Sequence, residues 1–351
     1  MADKKKFTIY DLAKKLGYSP STISRALNDH PTISKKTTKF IKAAAKEAGY
    51  RPNSIAASLR SSRSNTIGIM ISRINRPFIS SLISGVEECA RQAGYSVIIS
   101  QSNDKYDNEV NNAKVLRDSQ ISGLIVSLAM ETEDYDHFQQ FVDMGIPIVF
   151  VDRVPKSFPS YHVVIDNYAA GFKATQHLID QGCKRIAHFA GAQHRNVYAE
   201  RKEGYIDALK AAKLPVDESL IYLFDTLSSE EGEKATQELL SLENPPDGIF
   251  SANDTAAVSA IIYAKKVGVN IPKDLAIIGF NDDPMASIVD PALSTITHPA
   301  IKMGEIAARR VLEHTTDNHD SSISEVTILN TEVLVRKSSL KSKVDKPVEQ
   351  L

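Results

Sequence analysis

Apolar residues in the first sixty positions recur every three or four residues, the spacing of an α-helix that buries one face. The first such run covers Ile9–Leu16, with Thr8 placed to cap its beginning and Gly17 to end it. A second run, Pro20–Leu27, follows after only three residues, and Ser19-Pro20 is a strong signal for the start of a helix. A short connection that contains a glycine is typical of a helix-turn-helix.

A third helical run covers Lys35–Ala48, with Ser34 as its predicted cap, and completes a bundle of three short helices. In a helix-turn-helix the second helix lies in the major groove of DNA, with its N-terminal residues at base edges. Arg25 can donate two hydrogen bonds to guanine O6 and N7, and its alternative interpretation is a solvated surface charge. The candidates for base reading are Pro20, Ser21, Thr22 and Arg25. The candidates for phosphate contacts or caps are Thr8, Ser19, Ser24, Asn28, Thr32, Ser34 and Tyr50.

From Thr66 onward the pattern changes to short apolar runs that alternate with amphipathic helices. Such runs suit strands buried on both faces, and strict βα alternation is typical of an α/β fold with doubly wound parallel sheets. Because the pattern continues for roughly 270 residues, we expect two lobes. The predicted strands are 66–70, 96–100, 123–127, 147–151, 185–190, 247–252 and 275–280, with a last strand near 327–335. The predicted helices lie near 78–93, 107–118, 169–181, 201–212, 229–241, 254–267 and 302–314.

Charge is distributed unevenly along the 351 residues. The whole chain has 42 Lys and Arg against 43 Asp and Glu. Residues 1–63 hold 14 Lys and Arg but only 4 Asp and Glu, which leaves 28 and 39 for the remainder. A basic headpiece on an acidic body is typical of a protein that contacts a polyanion such as DNA.

Composition and motifs disfavour several classes of protein. Cys89 and Cys183 are the only cysteines and are far apart, so we expect free thiols rather than a disulfide or a cysteine-based zinc site. No apolar run approaches about 18 residues, and the start MADKKKFTIYDL lacks the apolar stretch of a signal peptide. We therefore expect a soluble, cytoplasmic protein. The common nucleotide-binding, zinc-protease and serine-hydrolase motifs are absent from the sequence, so we expect no enzyme activity, catalytic residue, cofactor or metal.

The segment TIYDLAKKLGYSPSTISRALND, followed by ISKKTTKFIKAAAKEAGYRPNSIAASLRS, resembles the headpiece of the lactose-repressor (LacI/GalR) family of bacterial transcription regulators. The resemblance is continuous from Thr8 to Ser61. It implies that Pro52–Arg60 is a hinge helix, which folds on operator DNA and pairs in the minor groove with the hinge of a second subunit. It further implies that Leu59, flanked by Ala56 and Arg60, pries apart the central base step.

The composition of this hinge fits that role. Ile55 and Leu59 are the only large apolar residues in 53–64, too few to hold so short a helix in the absence of DNA. An apolar wedge in the minor groove kinks the duplex and brings more protein surface into contact. Asn53 joins these residues as a predicted DNA contact, and the alternative for the whole segment is a plain polar linker.

The remainder of the chain resembles the core of the same family, which is like a periplasmic sugar-binding protein. The resemblance is carried by NRPFISSLISGVEECARQAGY, ISGLIVS, VFVDR, ATQHLIDQGCKRIAHFAG, IFSANDTAA and IIGFNDDPMASIVDPALSTI. It implies a headpiece at 1–50, a hinge at 51–64 and a two-lobed effector-binding and dimerisation core at 65–337. The polar composition of 338–351 predicts a flexible tail. We expect the first lobe to hold about 65–165 and 295–325, and the second about 166–293 and 327–337.

Ligands of open α/β sheets bind beyond the carboxyl ends of the strands, which here face the cleft between the lobes. The resemblance places there an aromatic ring, Phe78, and polar groups that bind hydroxyl or anionic groups. Asn281 stands where many family members carry aspartate, which replaces a carboxylate contact with an amide. The candidates for effector binding are Phe78, Asp152, Arg195, Arg201, Asn253 and Asn281.

Several of these residues have a purely structural alternative. Phe78 can belong to the core, Asp152 can pair with Arg153 within a loop, and Arg201 can be a surface charge. Asp254 is better explained as a cap of the helix that follows it than as a ligand contact.

The sequence as a whole predicts a homodimeric transcription regulator, expected to repress, in which each headpiece reads half of a pseudo-palindromic operator. A small molecule, expected to be a sugar, sugar derivative or sugar phosphate, would change the angle between the lobes and thereby the fit of the hinges to DNA. The alternatives are a solute-binding receptor without DNA function, and a regulator controlled by a protein co-effector.

Overall fold

The computed structural model describes residues 7–27, 29–50, 65–316 and 324–341, and the chain divides after Ser64 into two compact units. In the first unit three helices enclose a small apolar core, in which Leu12, Ile23 and Ile41 are fully buried. The helices are α1 (Ile9–Leu16), α2 (Pro20–Leu27) and α3 (Lys35–Glu47). All three predicted helices are therefore confirmed.

The ends of α1 and α3 are set by the residues that the sequence suggested. Thr8 Oγ1 accepts a hydrogen bond from the Asp11 backbone N–H at 3.3 Å, while the Asp11 carboxylate accepts one from the Thr8 N–H. This reciprocal pair satisfies two N–H groups that have no partner within the helix. Gly17 ends α1 with a φ of 69°, and Ser34 caps α3 by accepting from the Thr37 N–H at 3.1 Å.

The second unit is an α/β structure built on two six-stranded sheets. Its strands are β1 (Thr66–Ile71), β2 (Ser96–Gln101), β3 (Gly123–Val126), β4 (Ile148–Val151), β5 (Tyr161–Ile165), β6 (Ile186–Ala190), β7 (Ile221–Leu223), β8 (Gly248–Ser251), β9 (Ala276–Asn281), β10 (Ser294–Thr297), β11 (Glu325–Leu329) and β12 (Val333–Leu334). Its α-helices are α4 (Pro77–Gln92), α5 (Tyr106–Asp118), α6 (Asp136–Asp143), α7 (Asn167–Asp180), α8 (Asn196–Ala211), α9 (Ser229–Leu240), α10 (Asp254–Lys266), α11 (Pro284–Ile288) and α12 (Ala300–Thr316).

The strand order shows two lobes of similar design. The first sheet runs β11-β5-β4-β3-β1-β2 and the second β12-β10-β9-β8-β6-β7. Neighbouring strands are parallel except for β10 and β12. In each sheet the order reverses beside the first strand of the lobe, the arrangement that places ligands at the carboxyl ends of strands.

The division of the chain between the lobes differs from the prediction near the C-terminus. Residues 294–297 form β10, which pairs with β9 in the second sheet rather than belonging to the first lobe. Residues 325–329 form β11, which pairs with β5 in the first sheet rather than belonging to the second lobe. Three strands, β5, β7 and β10, were missed because they are short or carry polar residues, as Ser294 and Thr295 show in β10.

The predicted flexible tail is wrong for its first residues. Ser338 and Ser339 are fully buried. The Ile277 N–H donates to the Ser338 carbonyl at 2.9 Å, and Ser338 Oγ donates to the Ile277 carbonyl at 2.6 Å. We call residues 336–341 the C-terminal strap, because hydrogen bonds with the second sheet hold this polar segment in place. Residues 342–351 lie outside the described part of the chain.

Candidate functional site

The N-terminal end of α2 presents short polar side chains and one arginine. Ser21 and Arg25 are exposed and lie four residues apart on one face of the helix, whereas Pro20 and Thr22 are half-buried. Ser19 Oγ accepts a hydrogen bond from the Thr22 N–H at 3.1 Å, the geometry of an N-cap. The face opposite Ser21 and Arg25 is buried in the headpiece core. This geometry leaves Arg25 accessible to a groove of DNA.

The other predicted DNA contacts are dispersed around the headpiece. Thr8 is exposed at the start of α1, and Ser24 and Tyr50 are half-buried. Asn28 and the hinge residues Asn53, Ala56, Leu59 and Arg60 lie outside the described residues, so the predicted wedge stays a prediction.

A cleft lies between the two lobes of the second unit, at the carboxyl ends of strands from both sheets. Five of the six predicted effector contacts line it: Phe78, Asp152, Arg201, Asn253 and Asn281. The same walls carry charged or polar residues that the sequence analysis did not select: Arg73, Arg76, Asp104, Arg153, Asp225, Asp283 and His298. The cleft is therefore lined by a dense set of hydrogen-bonding groups of both signs.

Arg201, on α8, is a buried cation rather than the alternative surface charge. Only 4% of the residue is exposed. Its Nε donates to Asn167 Oδ1 at 2.9 Å and its Nη1 to the Ala252 carbonyl at 2.9 Å. The guanidinium carbon lies 3.5 Å from the centre of the Phe280 ring, within range of a cation–π interaction. Burial lowers the pKa of Arg201 to about 10, so it remains a cation at neutral pH.

Close packing of α7 and α8 explains how Arg201 reaches this position. A Cβ atom on Gly171 would lie 2.3 Å from the Arg201 carbonyl oxygen, and one on Gly204 would lie 2.2 Å from the Tyr168 carbonyl oxygen. No side chain fits at either distance, so glycine lets the two helix backbones touch. Because α7 begins with Asn167, this contact also brings the amide partner to the guanidinium.

Asp152 follows β4 directly and has a φ of 60°, a left-handed conformation that is uncommon outside glycine. Burial raises the pKa of its carboxyl group, while the nearby positive charges of Arg153 and Arg201 oppose that rise. The predicted alternative, an Asp152–Arg153 pair, is wrong as an ion pair. Arg153 Nη1 instead donates to Asp104 Oδ1 at 2.6 Å, and Arg73 Nε donates to Asp104 Oδ2 at 2.9 Å.

His298 is the cleft residue that sequence reasoning missed most clearly. Its ring stacks on Phe78 with centroids 3.9 Å apart, and its Nδ1 lies 3.1 Å from Asn281 Oδ1. Its Nε2 is buried, has no hydrogen-bond partner in the structure, and lies 3.9 Å from Asp152 Oδ1. Burial holds the pKa of His298 well below its usual value, so the ring is neutral. With Nδ1 donating to the amide oxygen, Nε2 is left as an acceptor.

Asn253, and not Asp254, caps the helix that follows β8. Asn253 Oδ1 caps α10 by accepting from the Ala256 N–H at 2.9 Å, and its Nδ2 donates to the Leu227 carbonyl at 2.9 Å. The Asp254 carboxyl accepts from Thr295 Oγ1 and from the Asp283 N–H, both at 2.7 Å. Burial raises the pKa of Asp254 to about 8. The prediction of a cap at Asp254 is therefore wrong by one residue.

Arg195 is set apart from the other five candidates. It precedes α8, is 4% exposed, and bonds carbonyl groups of the first lobe instead of lining the cleft. Its Nε and Nη2 donate to the Met130 carbonyl at 3.1 and 3.0 Å, and Nη2 also donates to the Thr132 carbonyl.

The groups that line the cleft determine which kind of ligand it can bind. Asp152 and His298 Nε2 are neighbouring acceptors, while Arg201 and the Asn281 amide supply donors. Such an array recognises a ligand with several hydroxyl groups. His298 follows β10, a strand with no apolar run, so the alternation pattern gave no signal for it. Among the described residues, no group of three or more His, Cys, Asp or Glu could hold a metal ion.

Comparison with known proteins finds matches along nearly the whole chain. Residues 8–53 match the model of the bacterial regulatory proteins of the lacI family, and residues 175–339 match the periplasmic binding protein-like domain. Catabolite control protein A of Priestia megaterium is 32% identical over 90% of this chain and 95% of its own length. The transcriptional repressor CytR of Escherichia coli K12 is 31% identical over 95% of this chain and 96% of its own.

Solved structures show the same architecture. The lac repressor dimer bound to operator and the anti-inducer ONPF has a TM-score of 0.85 and 24% identity, covering 96% of this chain and 100% of its own, which shows the fold. The transcriptional regulator CelR in complex with cellobiose has a TM-score of 0.70 and 28% identity, covering 94% of this chain and 99% of its own. Within 7–27, 29–50, 65–316 and 324–341, the ranges that the structure describes, no helix is long and apolar enough to cross a membrane.

Proposed function

Because this chain belongs to the lacI family of bacterial regulatory proteins, we propose that a small polyhydroxylated molecule in its cleft controls how its headpiece binds operator DNA. The protein is a sequence-specific DNA-binding transcription regulator. The curated relatives are named as regulators rather than enzymes. The match of residues 8–53 removes the alternative of a solute-binding receptor without DNA function.

The DNA-binding half of the proposal rests on α2. Its exposed Ser21 and Arg25 face solvent on a helix whose other face is buried. In this arrangement Arg25 reads a guanine, Ser21 and Pro20 contact neighbouring bases, and Thr8 and Ser19 approach phosphates through the starts of α1 and α2. Two subunits then read two half-sites, as in the operator-bound dimer of the lac repressor. A repressor that binds chromosomal operators acts in the cytoplasm.

The effector half rests on one observation above all, the buried acceptor pair of Asp152 and His298. These two groups face the cleft 3.9 Å apart, and the His298 Nε2 has no partner in the structure. A ligand that donates hydroxyl hydrogens to both, and accepts from Arg201 and Asn281, satisfies the site. A sugar is the chemical class that combines these features, in agreement with the cellobiose complex of CelR and with a similar ribose operon repressor.

The link between the two halves is closure of the lobes. Asp152 and Phe78 belong to the first lobe, and Arg201 and Asn281 to the second. A ligand bound by both lobes therefore favours the closed arrangement by its difference in affinity for the two states. Residues 51–64 join the headpiece to the first lobe along the chain, so in this proposal lobe closure is what controls operator binding.

A thermal-shift screen of the full-length protein tests the effector. Neutral sugars, sugar phosphates and nucleosides are each added at increasing concentration. A specific ligand at 100 times its Kd stabilises the folded state by about 2.7 kcal/mol, a shift of a few degrees. Asp152→Asn should abolish the shift. Asp180→Asn, at an exposed carboxylate that does not line the cleft, should preserve it.

The outcomes separate the possibilities. A response to neutral sugars that requires Asp152 supports the proposal. A response limited to phosphorylated compounds assigns the cleft arginines to a phosphate and contradicts the neutral-sugar assignment. No response from any compound contradicts small-molecule control and favours a protein co-effector. Selection from a random DNA pool tests the other half independently, and should enrich a pseudo-palindrome.

A further inference from the structure

Arg195 crosses from one lobe to the other at the edge of the cleft. Arg195 directly precedes α8 in the second lobe. Its guanidinium donates hydrogen bonds to two backbone carbonyls of the loop 128–134, which lies between β3 and α6 in the first lobe. His194 adds a third donor, with its Nε2 2.6 Å from the Met130 carbonyl oxygen. The donors belong to the second lobe and the acceptors to the first, so moving the lobes apart would break this contact.

The guanidinium geometry suits this role. A planar fork of donors can bond two carbonyl oxygens at once, whereas an ammonium group acts as a single point charge. Arg195 is also 4% exposed, so water has little access to these bonds in the structure. Arg195 lies six residues before Arg201, and α8 connects the two, so the edge contact and the cleft contact move as one body.

Glu109 holds in place the loop 128–134, called here the acceptor loop because it supplies the carbonyl groups that Arg195 bonds. This carboxylate, on α5, is fully buried. Its Oε2 accepts from the Ala129 N–H at 2.6 Å, and its Oε1 accepts from Thr132 Oγ1 at 2.7 Å. Bonds to residues 129 and 132 fix the loop on both sides of Met130. The N–H and hydroxyl groups thus face Glu109, while the carbonyls of residues 130 and 132 are presented to the opposite lobe.

His137 completes the environment of Glu109. Its Nε2 lies 3.0 Å from Glu109 Oε1, and its side chain is 4% exposed. The carboxylate therefore has three partners in a region without solvent, which is the arrangement that a buried charge requires. Glu109 and His137 do not line the cleft, so ligand binding there does not account for them, whereas Met130 of the acceptor loop does line it.

We propose that Arg195 is a latch that holds the lobes closed, and that Glu109 is a positioning residue that shapes the latch's acceptor loop. This inference rests on the proposed function in one respect, that the effector acts by changing how far the lobes are closed. Arg195 then sets the proportion of closed protein before any ligand binds, and so tunes sensitivity without selecting the ligand.

The latch is tested without a ligand, by pulsed electron spin resonance on the full-length protein. Cys89→Ser and Cys183→Ala remove the native thiols, and Lys114→Cys and Lys234→Cys place one spin label on α5 and one on α9. Both lysines are exposed. An excess of unlabelled protein limits the signal to distances within one subunit. If Arg195 is a latch, the labelled protein that retains Arg195 should show one main distance between the two spin labels. Arg195→Ala should add a second population with the lobes open, and the ratio of closed to open protein should fall about tenfold.

Variants of Glu109 and its partner Thr132 test whether Glu109 acts through Arg195, and Arg195→Lys tests the guanidinium itself. Glu109→Gln, or the milder Thr132→Val if that variant does not fold, should produce the same open population. The double variant with Arg195→Ala should open no further than either single change, because both act on one contact. Arg195→Lys should restore part of the closed population. Lys266→Ala, at an exposed cation on α10, serves as the control and should leave the distance unchanged.

Two results would overturn the latch. One is an unchanged distance in Arg195→Ala with a normal thermal unfolding midpoint, and the other is an additive effect of Glu109 and Arg195. Failure of the effector screen leaves this measurement intact, since the lobes are compared without ligand. The two proposals can therefore fail separately.

Discussion

The headpiece and the cleft use polar residues in opposite ways. On α2 the candidate contacts are short or exposed, and Arg25 extends into solvent. In the cleft the candidates are half-buried or buried, and Arg201 is bonded to Asn167 and Ala252 within the protein. A DNA-reading surface can therefore change with little effect on folding, whereas the cleft cannot change without affecting the stability of the second unit.

The largest expected effect is that of Arg201→Ala. The substitution leaves the Asn167 amide oxygen and the Ala252 carbonyl without donors in a buried region and removes the packing against Phe280. We expect the free energy of unfolding to fall by about 3 kcal/mol, measured by urea denaturation. Lys202→Ala, at the next position, is the control and should change it by less than about 0.5 kcal/mol. If Arg201→Ala lowers the free energy of unfolding by less than about 1 kcal/mol, the contrast between the headpiece and the cleft is wrong.

The next effect is a pH dependence from His188 in β6. Its ring stacks between Tyr205 and Phe250, and its Nδ1 donates to the Phe250 carbonyl at 2.9 Å. Burial lowers the pKa of His188 to about 4, from 6.5. Between these values the unfolded chain binds the extra proton, so stability is lost as pH falls below 6.5, at up to about 1.4 kcal/mol per pH unit.

The variant His188→Asn isolates this contribution. The amide nitrogen can still donate to the Phe250 carbonyl but does not titrate in this range. Unfolding free energies measured from pH 7.5 to 4.5 should show a flatter profile for the variant than for the parent. Parallel profiles would show that His188 is not the titrating group.

The smallest expected effect on stability is that of Arg25→Ala. Because Arg25 is exposed, the unfolding free energy of the headpiece should change by no more than about 0.5 kcal/mol. Binding to the selected operator should nevertheless weaken by about 1–3 kcal/mol, with specificity relaxed at one base pair. Fluorescence anisotropy with the selected operator and with random DNA measures the affinity for each, and their ratio gives the specificity. An equal loss on the two DNAs would make Arg25 a phosphate contact instead.

The same contrast explains how far the sequence could be interpreted. The headpiece contacts lie on one continuous helix, so caps and periodicity were sufficient to place Ser19, Ser21 and Arg25. The cleft is assembled from the ends of strands far apart in the chain. Its aromatic, acidic and arginine members could be placed only because each follows a strongly apolar strand or matches a family motif.

Where those signals were weak, the predictions failed for identifiable reasons. His298 follows β10, whose Ser and Thr residues hide a strand stabilised by polar partners such as Asp254. Arg195 lies in a loop, and its direction depends on carbonyls that Glu109 positions from another helix. The C-terminal strap has the polar composition of a flexible tail, yet Ser338 and Ser339 are buried because the second sheet supplies their hydrogen bonds.

The interleaved C-terminal strands have a consequence for synthesis of the protein. The headpiece helices are complete once Tyr50 has emerged from the ribosome, but the first sheet waits for β11 and the second for β12 and the strap. At about 5–20 residues per second, roughly 15–60 s separate the two events. During that interval every nascent chain carries a finished DNA-binding unit without a finished sensor. A message truncated before β11 would make that condition permanent.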